Sequence, residues 1–185
     1  IASWALRLCL AYPKSSGWAT ENPTSKQWSK LYERCLGLLN KQFIRNVVSA
    51  TYTGVYVDEY QDCSDSQHSL VCALADVFPC RILGDPLQAI FDFEDGKPVD
   101  WNASVYPTFD CLGELDTPWR WKKAEAHELG DWLKEVRKKI ELGQKIDLVG
   151  GLPRSVIRVE TNHALLEAKQ YSSLYGQLGH NESVI

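Results

Sequence analysis

Residues 53–67, TGVYVDEYQDCSDSQ, run a short apolar stretch directly into Asp58, Glu59 and Asp62. Val55-Tyr56-Val57 has the character of a buried strand. Carboxylates gathered where such a strand ends repel one another and lose hydration, which is unfavourable unless something positive sits among them. Beyond the cluster, Ser64 or Asp65 can cap a helix whose apolar face is Leu70, Leu74, Val77 and Phe78. A second apolar run, Arg81-Ile82-Leu83, is then broken by Gly84-Asp85-Pro86. The order strand, acidic turn, helix, strand, acidic turn predicts an α/β fold with a parallel sheet. Both acidic turns would lie at the carboxyl ends of the strands, where open α/β sheets place their ligands. A right-handed crossover makes the two turns neighbours.

Helical spacing dominates the flanks. The opening IASWALRLCLAY reads as helix, since it has neither a basic leader nor a following small-residue cleavage site. Ser25 to Val48 reads as one helix, capped from the TENPTS cluster, with Trp28, Leu31, Cys35, Leu38 or Leu39, and Phe43 at helical spacing. Phe91 to Asp116 is loop-like, and a boundary is expected near Thr117-Pro118, dividing the chain into 1–116 and 117–185. The second part starts with an amphipathic helix, Lys122 to Leu142, with a stripe of Leu129, Trp132 or Leu133, Val136 and Ile140. Ser155 to Val159 reads as a strand, Ala164 to Tyr175 as a helix, and Glu182 to Ile185 as a further strand.

Composition narrows the class. The 185 residues are 44% hydrophobic and 24% charged, enough for one sizeable core or one core and part of a second. No apolar run approaches the ~18 residues of a membrane span, so no membrane partner is expected. Six cysteines without CxxC spacing read as reduced thiols and not as a zinc site or a disulfide framework, which implies a cytoplasmic setting. A net charge of −4 counts against a free-standing nucleic-acid binder, yet leaves room for a motor that tracks a strand along a local groove.

The acidic turn has three readings on its own residues. It can be a solvated turn that caps the following helix. It can be part of a two-metal nuclease, which would want a poised lysine or histidine that does not stand out. Or Asp58 can hold a hydrated Mg²⁺ while Glu59, pointing aside at the strand end, lies near an attacking water, an arrangement that suits nucleoside triphosphate hydrolysis. The second turn, ILGDPLQAIFDF, favours the last. VDEYQD and, one helix and one strand later, GDPLQAIFDF resemble motifs II and III of the UvrD/Rep-like superfamily 1 DNA helicases, in their order and approximate spacing. Gln67 falls where these helicases often carry a glutamine. LDTPWRW, Leu115 to Trp121, is similar to their motif IV, an aromatic followed by arginine at the start of the second motor domain.

The resemblance implies a RecA-like P-loop NTPase fold, a parallel sheet flanked by helices, with the start of a second RecA-like domain. It implies ATP and Mg²⁺ as cofactors, single-stranded DNA as partner, and ATP-driven movement with duplex unwinding. Asp58 would be the Mg²⁺ carboxylate and Glu59 the base toward the attacking water. Gln88 would sense the γ-phosphate, Arg120 would be the finger supplied by the second domain, and Trp119 would stack on adenine. Phe93 would stack on a base of the strand. Plainer readings stand beside these: Trp119 and Phe93 as core aromatics, Arg120 in an ordinary surface ion pair, Gln61 and Asp62 as holders of the local network, and His68 on a helix surface. Glu94-Asp95-Gly96 departs from the family's arginine-glycine-alanine, and Phe91 stands where tyrosine is common. Nothing matches GxxxxGK[ST]. The chain is therefore expected to be an internal stretch of a longer helicase, hydrolysing ATP poorly by itself and needing the remainder of the motor. The alternative is a degenerate helicase-like module that binds nucleic acid or protein partners without turnover.

Overall fold

A computed structural model of the protein describes residues 1–89 and 97–156. The chain divides into two compact units, Ile1–Leu112 and a second that begins at Gly113.

The first unit is α/β. Its helices are α1 (Ala2–Ala11), a short α2 (Pro13–Ser16), α3 (Trp28–Leu39), α4 (Gln42–Thr51), α5 (Asp65–Ala75) and a single turn α6 (Tyr106–Thr108). The strands are β1 (Val55–Val57) and β2 (Cys80–Ile82). They pair in parallel, with Val55 opposite Cys80, Tyr56 opposite Arg81 and Val57 opposite Ile82. Among the described residues the sheet has these two strands, and α5 supplies the crossover that a parallel pair requires. Helix α5 starts where the sequence predicts. Ser64 is its N-cap, the Ser64 hydroxyl accepts from the Gln67 amide, and the Gln67 side chain accepts from the Ser64 N–H at 2.8 Å. This reciprocal pair satisfies two backbone donors that the first turn would otherwise leave open.

The core lies between α1, α3, α4 and α5. Cys9, Leu31, Cys35, Leu38, Leu39, Ile44 and Leu70 are fully buried there. The single helix expected over Ser25–Val48 is broken into a short 3₁₀ turn (Ser25–Gln27), α3 and α4. The reason is periodicity. A straight continuation of Leu31, Cys35 and Leu38 would bring Gln42 and Arg45 onto the core face. Instead Lys41 becomes extended (φ −94°, ψ 123°), and the restarted helix turns Ile44 and Val48 inward. Arg45 donates its Nε–H to the Leu39 carbonyl at 2.7 Å, closing the end of α3. Phe43 consequently leaves the core stripe; it is 48% exposed and meets Tyr12 edge-on.

A smaller apolar cluster, Val57, Tyr60, Cys63, Val71, Val99 and Val105, packs beneath the ends of the strands. The segment read as loop contributes to it through a π-type turn, Trp101–Val105, that runs into α6. Asp100 starts that turn by accepting the Ala103 N–H at 2.9 Å.

The second unit contains α7 (Trp119–Lys123) and α8 (His127–Glu141) in place of one long helix. Glu125 takes positive φ (56°) between them, and the chain doubles back so that Gly130 lies against Trp121. A Cβ on Gly130 would sit 2.9 Å from the Trp121 Cβ, so a side chain there is excluded. Along α8, Leu129 is buried, Trp132, Leu133 and Val136 are half-buried, and Ile140 is exposed. Of the expected strand Ser155–Val159, Ser155 and Val156 lie in a turn, and the rest is outside the described residues, as are the helix 164–175 and the strand 182–185. Cys9, Cys35 and Cys63 are buried, and none of the six cysteines is joined in a disulfide. Among the described residues, no helix is long and apolar enough to cross a membrane.

Leu38 is fully buried at the centre of the first unit. Leu38→Ala is expected to cost about 2–5 kcal/mol through lost burial and a residual cavity, read as a lower midpoint in urea denaturation followed by far-UV circular dichroism.

Candidate functional site

The site begins where the two strands end. After Ile82 the ladder continues through irregular backbone: Leu83 N–H donates to the Val57 carbonyl at 2.8 Å, and Tyr60 N–H to the Leu83 carbonyl at 2.9 Å. These bonds fold the acidic turn over onto the second turn. Between them Glu59 adopts the left-handed conformation (φ 51°, ψ 45°), then Tyr60–Asp62 form one 3₁₀ turn. A non-glycine residue held in this conformation costs of order 1–3 kcal/mol and persists only where its surroundings impose it.

Tyr60 is the anchor. Its ring is fully buried and meets Trp101, Phe109 and His68 edge-on at 6.0–6.3 Å. Its hydroxyl bonds to His68 Nδ1 at 2.8 Å, and His68 Nε2 lies 3.5 Å from the Cys72 sulfur. His68 is therefore an interior residue, in correction of the helix-surface reading. The sequence signal was weak, because only the position of Tyr60 one turn earlier makes that face of α5 an inner one. Burial pushes the His68 pKa down from its ordinary value, against a weaker opposing pull from Asp65.

With Tyr60 fixed, its neighbours are fixed too. Asp58 and Glu59 are both exposed just past the end of β1. Asp58 Oδ1 accepts the Glu59 N–H at 2.9 Å. Glu59 Oε2 accepts from Gln61 Nε2 at 2.7 Å, and Gln61 Oε1 accepts the Asp85 N–H at 2.9 Å. Gln61 is only 3% exposed. It takes the local-network role allowed for it, but reaches farther than expected, into the second acidic turn. There Asp85 accepts the Leu87 N–H at 3.1 Å and the Gln88 side-chain N–H at 2.8 Å. Gln67 bonds within the α5 cap and donates to the Tyr32 hydroxyl at 3.1 Å.

The structure thus brings Asp58, Glu59 and the turn bearing Gln88 to one end of the sheet. Phe93, Phe91 and residues 94–96 fall outside the described residues. Trp119 and Arg120 belong to the second unit. Trp119 is 64% exposed with the Lys122 ammonium 5.3 Å above its ring, which corrects the core-aromatic alternative. Arg120 is exposed.

A cavity of about 460 Å³ opens beside β1, with Asp58, Glu59, Asp62 and Gln67 at its polar end and Trp4, Val55, Val71, Leu74 and Phe78 among its apolar walls. Asp62 Oδ1 is buried and has no hydrogen-bond partner among the described residues. No lysine or arginine pairs with Asp58, Glu59 or Asp62 among them either. No set of three or more His, Cys, Asp or Glu is gathered to hold a metal among these residues. Asp58 and Glu59 are the carboxylates here that could hold a hard cation such as Mg²⁺, which keeps its waters and is held by one or two carboxylates.

Residues 19–103 match the family model of the UvrD/REP helicase N-terminal domain. The matched span contains the whole strand–turn–helix–strand–turn unit with Asp58, Glu59, Gln61, Asp85 and Gln88. The chain is also similar to the Gabija protein GajB of Bacillus cereus (strain VD045), at 28% identity over 82 residues, which are 43% of this chain and 17% of that protein. The chain therefore covers less than a fifth of that relative's length. No solved structure matches. Residues 19–103 are thus similar to UvrD/REP-type helicases, and Asp58, Glu59 and Gln88 lie within that likeness.

Two tests follow from the geometry. A Cβ on Gly84 would sit 2.9 Å from Gln61 Oε1 and 3.0 Å from the Tyr60 backbone nitrogen. Gly84→Ala should therefore destabilise by about 1–3 kcal/mol, seen as a lower urea midpoint. His68 is held neutral, so its contribution is complete above the unfolded imidazole value of 6.5 and is lost as pH falls below that toward the lowered folded value. The urea midpoint should drop between pH 7.5 and pH 5.5, and His68→Gln should flatten that dependence.

Proposed function

We propose that the protein is part of a UvrD-like DNA helicase, a motor that couples ATP hydrolysis to movement on single-stranded DNA. The observation that carries this reading is the parallel pair β1–β2, which delivers two acidic turns side by side and joins them through buried Gln61. In this reading residues 1–116 are the C-terminal part of a first RecA-like motor domain and 117–185 begin a second. The cytoplasm is the compartment where such a motor meets DNA.

Asp58 would hold the metal with the help of phosphate oxygens. When bound, Mg²⁺ neutralises charge that develops on the phosphates during transfer. Glu59, held aside by its left-handed backbone, accepts the proton of the attacking water. A positioned general base of this sort contributes ~10²- to 10⁴-fold. Gln88, tied to Asp85, faces the γ-phosphate and reports its presence to the DNA track. Arg120 supplies the positive charge from the second domain, a contribution of ~10³- to 10⁵-fold in related phosphoryl transfers. Trp119, largely exposed, stacks on adenine, and Phe93 stacks on a base of the strand, worth ~1–3 kcal/mol.

The test is ATP hydrolysis by the intact protein that carries these residues, with and without single-stranded DNA, beside its Glu59→Gln variant. Hydrolysis that rises with DNA and falls at least ~10²-fold in the variant supports the motor. A folded intact protein that binds DNA or a protein partner but turns over no ATP would overturn it in favour of a binding module.

A further inference from the structure

The Gln61 carboxamide is buried between the two acidic turns, and its two ends do different work. Its N–H₂ donates to Glu59 Oε2 at 2.7 Å, and its oxygen accepts the Asp85 backbone N–H at 2.9 Å. The orientation is keyed. Reversing the amide would set its oxygen against the Glu59 carboxylate and its N–H₂ against the Asp85 N–H, losing both bonds at once. There is no slack on the far side, since Gly84 approaches within the reach of a single added methyl group. The same Asp85 fixes Gln88 through its carboxylate at 2.8 Å. Glu59, Gln61, Asp85 and Gln88 therefore form one continuous hydrogen-bonded line across the ends of both strands.

We propose that Gln61 is a positioning residue that aims the Glu59 carboxylate and ties its position to the Gly84–Gln88 turn. This rests on the motor reading above. Glu59 has exposed surroundings and an uncommon backbone conformation, so few other contacts determine where its side chain points. The Gln61 bond is charge-assisted, the kind that is short and strongly directional. A shift of the second turn would pull the amide oxygen through the Asp85 N–H and displace the carboxylate bonded to its other end. Misplacing a reacting group by about an ångström costs up to ~10²-fold in rate.

Three variants of the intact protein test this. Gln61→Met keeps the volume and removes both bonds. Gln61→Glu keeps an oxygen for the Asp85 N–H and, when ionised, lacks the donor to Glu59. Glu59→Gln supplies the background on which the Gln61 effect is measured again. Expected for Gln61→Met is a loss of kcat of roughly 10- to 100-fold with the ATP KM changed less than about two-fold, because Glu59 acts on water and does not hold the nucleotide. On the Glu59→Gln background the same substitution should add almost nothing, since the residue acts through Glu59. Amide hydrogen exchange gives a readout free of turnover. The Asp85 amide should lose protection in Gln61→Met and keep it in Gln61→Glu, while the Leu83 amide, bonded to the Val57 carbonyl, stays protected in both.

An Asp85 amide equally protected in Gln61→Met and the wild-type protein would overturn the proposal. So would a Gln61→Met effect on kcat that is absent, or that is undiminished on the Glu59→Gln background. If the wild-type protein hydrolyses no ATP, or Glu59→Gln is as active as wild type, the motor reading and the positioning role fall together. That result is distinct from the failure of Gln61 alone.

Discussion

Everything at the candidate site hangs on the parallel pairing of Val55–Val57 with Cys80–Ile82. Three opposed residues on each side make a marginal sheet, so the pairing holds through what is attached to it. Helix α5 covers it, the Pro79 carbonyl accepts the Val55 N–H at one end, and Leu83 and Tyr60 extend the ladder at the other. Gly54 and Gly84 sit at opposite ends of this arrangement. Each is where a side chain would push against the neighbouring segment, at Pro79 and at Gln61 respectively. The close approach of the two acidic turns is thus set by backbone contact, and the acidic side chains are carried along with it.

The exposed and buried parts of the site divide the work between successive pairs of residues in one short stretch. Tyr60 goes down into an aromatic cluster and finds His68 for its hydroxyl. Asp58 and Glu59 stay at the surface, where their charge remains hydrated. Gln61 turns back under the surface and satisfies both ends of its amide. A buried tyrosine, a strained glutamate and a buried glutamine in succession leave this turn little freedom to take another shape. In the proposed role of Glu59 as general base that rigidity would matter, since the usefulness of such a group depends on where its oxygen sits more than on its basicity alone.

Much of this was legible in the sequence, and the parts that were not share a cause. The β1–α5–β2 order, the Ser64 cap and the placement of two acidic turns at strand ends follow from local chemistry, and local chemistry is written in adjacent residues. The split of Ser25–Val48 into α3 and α4 was hidden because each half is a good helix; only the requirement to bury Ile44 and Val48 in the same core as Leu38 forces the bend. The doubling back of α7 on α8 depends in the same way on Trp121 meeting Gly130. His68 reads as a surface residue until Tyr60 is known to lie beneath it. The reach of Gln61 to Asp85 spans a helix and a strand, and no periodicity encodes it. Contacts between distant segments decide these features.

The crossover topology also orders events during folding. Strand β1 has no partner until α5 has formed and β2 has been laid beside it, because the residues between them must first close into a loop. Helices α3 and α5 can begin from local turns, whereas the register of Val55 against Cys80 is a late, non-local gain. Gln61 meets the Asp85 N–H only in a chain that has also laid the second turn beside the first. A nascent or partly unfolded chain would therefore carry its acidic residues on an open, hydrated loop. The assembled cluster would then be a signature of the completed fold.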